Sequence, residues 1–127
     1  EPARQLAEWK RRVRAAWPKV SIRRLDTPLN HIYRDDNFEV KVAVNLDGLD
    51  PNDVVIDCLV GRQDKDATFE RHSCFQLHFV ERDANGESIF SLAVTLTEPG
   101  KQCYMLRAYP YHQLLGQRFE TGCMIWL

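Results

Sequence analysis

The hydrophobic positions of this chain follow two different periods. From Glu1 to Trp17 they recur at helical spacing: Leu6, Trp9, Val13 and Trp17 fall at i, i+3, i+7 and i+11, and Ala3, Ala7 and Ala16 widen the stripe. Pro2 suits a first helical turn and Pro18 cannot continue one, so an amphipathic helix is predicted over residues 1–18. Burial of two indoles and a leucine is worth several kcal/mol, which predicts that the stripe is covered rather than wet.

After Pro18 the period becomes 2 and stays there. "KVSIRRL" offers a first strand through Val20, Ile22 and Arg24. "FEVKVAVNL" alternates cleanly, with Phe38, Val40, Val42, Val44 and Leu46 on one face and Glu39, Lys41 and Asn45 on the other. The turn formers of "DGLDPND" lead into "VVIDCLVG", with Val54, Ile56, Cys58 and Val60 inward, ended by Gly61 and the polar loop "RQDKDAT". "CFQLHFVER" reads as one strand carrying Phe75, Leu77 and Phe79 on one side. The Asn85-Gly86 hairpin signal joins it to "SIFSLAVTL", with Phe90, Leu92, Val94 and Leu96 inward. "EPGK" turns into "QCYMLRAY", and "QRFETGCMIWL" is the last strand.

About seven strands without a second helix predict a mainly β fold, an immunoglobulin-like antiparallel β-sandwich over residues 19–127 preceded by one α-helix. Tyr104, Leu106 and Ala108 share a face just after a turn, where such domains often bury a tyrosine whose hydroxyl caps a backbone group. The Cys…Trp…Cys pattern of antibody domains is absent, so only the broader architecture follows.

Length and composition narrow this picture. At 127 residues the chain suits one domain, and 44% hydrophobic with 28% charged residues excludes a disordered segment. A net charge of -1 gives no reason to expect nucleic acid or a membrane as partner. Its distribution is uneven: residues 1–24 hold eight basic against two acidic side chains, and the remainder nine against sixteen. A basic helix docked on acidic surface would suit that asymmetry. Cys58, Cys74, Cys103 and Cys123 form no CxxC pair and are expected as reduced thiols of a cytoplasmic protein. No signal peptide or long apolar run is present, and Glu1 in place of an initiator methionine suggests a segment of a longer product.

Little in the chain points to chemistry. His72, Cys74 and His78 share parity in "RHSCFQLH", but zinc needs a fourth ligand and orienting partners that the local sequence lacks, so no metal is expected. Cys103 or Cys123 with His112 is the nearest approach to a nucleophile and base, without a nucleophile elbow or glycine cluster. No P-loop or dinucleotide motif occurs, and no catalytic residue is expected. Tyr33, Tyr109, Tyr111 and Trp126 lie near predicted strand ends or loops, where exposed rings stack on sugar faces.

Two end segments carry a family resemblance. "LAEWKRRVRAAWPKVSI" resembles the stretch that follows the last catalytic helices in bacterial alpha-glucan phosphorylases of the maltodextrin type. "YPYHQLLGQRFETGCMIWL" is similar to their carboxyl terminus, through Pro110, His112, Leu114, Leu115, Phe119, Glu120, Gly122 and Trp126; "NLDGLDPNDVVIDCLVG" resembles a turn and strand between them. The resemblance implies a noncatalytic carboxyl-terminal sandwich of an enzyme that uses pyridoxal phosphate to phosphorolyse alpha-1,4-glucans to glucose 1-phosphate. No cofactor is expected in this segment, because Lys10, Lys19, Lys41, Lys65 and Lys101 sit in no cofactor-binding context. Leu6, Trp9, Val13 and Trp17 would then pack at the junction with the catalytic body of the same polypeptide, and an alpha-1,4-glucan is the expected small partner. A stand-alone carbohydrate- or protein-binding sandwich is the alternative, and a small metal protein a third.

Overall fold

The computed structural model describes residues 1–26, 31–66 and 68–127. It opens with α1 (Pro2–Ala16), capped by the Glu1 carboxylate, which accepts from the backbone N–H groups of Ala3 and Arg4. Pro18 converts the next turn to a short 3-10 helix, Trp17–Lys19, and the strands begin at once.

Eight strands follow: β1 (Ser21–Arg24), β2 (Asn37–Asn45), β3 (Val54–Gln63), β4 (Phe69–Gln76), β5 (His78–Arg82), β6 (Ser88–Thr95), β7 (Cys103–Pro110) and β8 (Ile125–Trp126). They form two antiparallel four-stranded sheets, ordered β1-β2-β6-β5 and β4-β3-β7-β8. That is the A-B-E-D and C-F-G order of an immunoglobulin-type sandwich, with β4 added beside the C-type strand.

The alternation in β2 places Phe38, Val40, Val42 and Val44 against the inward residues of the other sheet, Ile56, Cys58, Val60, Leu106 and Ala108. Phe38 meets Tyr104 edge to face at 4.7 Å across the two sheets. The Tyr104 hydroxyl accepts from Arg24 Nη2 at 2.8 Å, so the half-buried end of β1 is tied to β7 in the opposite sheet. Trp9, Val13 and Ala16 of α1 are buried in the same cluster. The helix therefore belongs to the core of the sandwich.

Three sequence expectations need correction. "CFQLHFVER" is two strands: β4 pairs with β3 as far as Gln76, Leu77 is buried at the crossing, and β5 joins β6 in the other sheet. Period-2 hydrophobicity runs through Leu77 unbroken, so the sequence does not mark the change of sheet. Phe79, expected inward, is consequently 46% exposed on an edge strand. The last strand is only Ile125–Trp126, because residues 113–122 form successive turns, closed by Leu115 N–H to the His112 carbonyl and Gly122 N–H to the Phe119 carbonyl. Finally β3 does not end at Gly61 but runs through a bulge to Gln63. Ala67 of the predicted loop lies outside the described residues. The Asn85-Gly86 hairpin forms as expected, with Gly86 alone in the turn at positive φ, 81°.

Candidate functional site

The outer face of the second sheet is where polar and aromatic side chains gather. On β3, Asp57 and Leu59 point away from the sandwich core yet are nearly as buried as the inward row. The turns at 113–122 fold back over β7, where the Phe119 ring meets Tyr109 and Arg107. Asp57 is 3% exposed and accepts at Oδ2 from Arg107 Nε, 3.1 Å away on its register partner in β7. The Arg107 guanidinium in turn lies 4.9 Å from the Phe119 ring, 5.6 Å from Tyr109 and 6.0 Å from Trp126. A buried ion pair is tolerated here because hydrogen bonding and three aromatic faces replace water around the cation.

Helix α1 holds this covering segment. Trp9 Nε1 donates to Asp53 Oδ1 at 3.0 Å, its ring lies 5.2 Å from that of His112, and Lys10 forms an ion pair with Glu120. Tyr111 N–H donates to the Asp53 carbonyl, so the end of β7 and the turn before β3 are fastened at the same place. The residues that shape the outer face thus depend on the helix.

Beside the ion pair lies an open groove of about 540 Å³. Its origin is the crossing at Leu77: β4 stops at Gln76 opposite Asp57, Leu77 N–H still donates to the Ile56 carbonyl, and Val55 and Val54 at the start of β3 have no strand partner on that side. Asn52, Asp57, Gln76 and Arg118 supply polar lining, and Phe79 and Tyr111 supply aromatic walls.

Of the four predicted sugar contacts, three come together on this face and one does not. Tyr111 and Trp126 are 37% and 52% exposed. Tyr109 lines the groove but is 1% exposed under Phe119, so it cannot offer a ring face to a ligand; its burial follows from the turns that replace the expected last strand. Burial, reinforced by the Asp57 carboxylate, pushes its phenol up to about 12. Tyr33 adjoins the Ile32–Gln102 bridge, before β7 begins, at the opposite end of that strand from Tyr111.

The predicted helix stripe is divided in its use. Trp9 and Val13 are 2% and 0% exposed inside this chain's own core, so only Leu6 and Trp17 keep surface for another domain. Arg4, Arg11, Arg12 and Arg14 stand exposed on the other side of α1.

The remaining chemistry is sparse. His72 and Cys74 sit on β4 and His78 on β5, in different sheets, so the strand face expected to carry all three does not exist. Among the described residues no cluster of three or more metal-binding side chains occurs. All four cysteines are free thiols. Burial pushes Cys58 up to about 12 and raises Cys74 and Cys103, which disfavours the nucleophilic thiolate. Lys19, Lys41, Lys65 and Lys101 are exposed, and Lys10 is paired with Glu120. No described helix is long and apolar enough to cross a membrane.

Sequence reasoning missed Asp57, Gln76, Phe79 and Arg118 as parts of one site. The only available signals were a lone carboxylate inside the apolar run "VVIDCLVG" and a lone arginine inside "YMLRAY".

Fold and outer face define a helix-sealed β-sandwich module with a polar, aromatic-walled groove. The chain belongs to the glycogen phosphorylase C-terminal domain family, which it matches over residues 17–127. It is 30% identical over 126 residues to maltodextrin phosphorylase of Thermococcus litoralis, a match covering 97% of this chain and 14% of that protein. Glycogen phosphorylases of Mycobacterium bovis and Mycobacterium tuberculosis are 30% identical over 128 residues, again covering 96% of this chain and 14% of each relative. The chain therefore spans about one seventh of the length of the curated relatives it matches. No solved structure matches it significantly.

Proposed function

We propose that this chain is a noncatalytic module of a cytoplasmic alpha-glucan phosphorylase, carried on the catalytic body and in contact with the alpha-1,4-glucan. The observation that carries the reading is the pair of coverages: nearly all of this chain aligns, and it aligns to one seventh of proteins named for phosphorolysis of maltodextrin and glycogen. The chemistry is then the work of the rest of the polypeptide. The raised thiols support this, and so do the lysines: a Schiff-base lysine for pyridoxal phosphate needs an enclosed, activating pocket, and those here are exposed or ion-paired. We assign the cofactor to the catalytic body. Leu6 and Trp17, the part of the apolar stripe that keeps exposed surface, form the face turned toward that body.

The test uses the purified chain with maltoheptaose and inorganic phosphate. Neither glucose 1-phosphate nor pyridoxal phosphate absorbance is expected. Detection of either in the homogeneous chain would overturn the noncatalytic reading.

A further inference from the structure

We propose that the groove beside β3 is a subsite for a short linear alpha-glucan segment, walled by Phe79 and Tyr111 and floored by Gln76 and Asn52, with Arg118 at its edge. The inference rests on the glucan contact proposed above and gives it a location and a recognition chemistry.

The shape comes from the topology. Where β4 leaves the second sheet at Gln76, the strand slot beside Val54 and Val55 stays vacant, and the outgoing chain, Leu77 to Phe79, forms the far wall. A volume of about 540 Å³ lies within the range of ligand sites and admits a short run of hexose rings.

The walls suit a sugar. Phe79 comes from the first sheet and Tyr111 from the end of β7, and they are 46% and 37% exposed, so each keeps ring surface against which the C–H face of a pyranose packs. The two rings approach the groove from different sheets, which fixes a width rather than a flat platform.

The floor suits hydroxyls. Asp57, 3% exposed and held by Arg107, lies beneath the floor and anchors it. The side-chain amides of Asn52 and Gln76 and the guanidinium of Arg118 make no hydrogen bond or ion pair among the described residues. These are planar groups that bind adjacent hydroxyl pairs in bidentate fashion, as donors, acceptors or both. The charge balance favours a neutral ligand over a phosphate. Arg107 is committed to Asp57, which leaves Arg118 as the lining arginine able to meet a phosphate, a single charge at the edge where anion sites usually combine several donors.

The experiment is an amide-resolved NMR titration of the 127-residue chain with maltoheptaose, and with cellohexaose and inorganic phosphate as controls. The expected result is saturable shifts clustered at Asp57, Gln76, Phe79, Tyr111 and Arg118 with maltoheptaose alone. Phe79→Ala and Tyr111→Ala should each weaken binding about tenfold. Both side chains are partly exposed, and retained spectral dispersion establishes that each variant is folded; either one suffices to test the walls. Shifts confined to the Tyr33 loop or to Trp126 would overturn the groove while leaving a glucan contact elsewhere. No saturable shift with maltoheptaose would overturn the groove and the glucan contact together. A response to phosphate in place of maltoheptaose would overturn the neutral ligand. The noncatalytic reading is decided by its own assay and survives or fails independently.

Discussion

Replacement of Trp9 by alanine tests whether α1 is part of the sandwich or an appendage to it. Trp9 is 2% exposed, packs in the common core with Val13 and Ala16, lies against His112, and donates Nε1–H to Asp53 at 3.0 Å. Removal of a buried tryptophan costs about 3–5 kcal/mol through lost transfer energy and the cavity left behind. The hydrogen bond adds about 0.5–1.5 kcal/mol. Against a total stability of about 5–15 kcal/mol for a domain of this kind, Trp9→Ala should remove about a quarter or more. Trp9→Phe keeps most of the ring but loses the donor and some volume, and about 1–2 kcal/mol is expected. Urea denaturation followed by far-UV circular dichroism reads both, with Trp9→Phe reporting even where Trp9→Ala is too unstable to purify. A loss below about 1 kcal/mol in Trp9→Ala would refute the claim that the helix seals the core.

Other consequences follow from the same contacts. Asp57→Ala strands the buried Arg107 cation and should cost about 3–5 kcal/mol in the same denaturation assay; a loss near zero would mean that water already solvates the pair. Gly61→Ala would put its Cβ 2.1 Å from the Glu70 carbonyl oxygen, so β3 and β4 must part at the bulge; about 1–3 kcal/mol is expected, and an unchanged midpoint would contradict the close approach. Tyr109 and Cys58 are acids whose neutral forms the fold favours, each raised to about 12. Their contribution to stability is complete below the unfolded values, near pH 9 for the thiol and 10 for the phenol, and is lost as pH rises toward 12. Stability against urea should therefore fall steadily across that alkaline window, and Tyr109→Phe should flatten part of the fall.

What the sequence revealed and what it hid have separate physical causes. β2 was legible because its two faces differ: Phe38, Val40, Val42 and Val44 are buried, while Asn37, Glu39, Lys41 and Asn45 meet solvent. The helix stripe was legible for the same reason, since Trp9 and Val13 have only one side to hide. The crossing at Leu77 was illegible because the residue that passes between sheets is itself an inward hydrophobe and continues the alternation. "QRFETGCMIWL" suggests a strand by its sequence, although Gln117 and Glu120 cap backbone N–H groups locally and hold its first half curled. That one misreading concealed the burial of Tyr109, because its cover is Phe119. Asp57 and Arg107 become a pair only once the β3–β7 register is known. The groove exists because two strands end at different places, a feature that lies in the register and not in any single segment.

The central claim is that the module touches glucan without acting on it. The most direct test is titration calorimetry of this chain with maltoheptaose and with glycogen. The account predicts saturable heat at roughly millimolar affinity with both, in keeping with a weak contact made useful by its tether to a catalytic body. No heat with either ligand, from a chain shown to be folded, would contradict it.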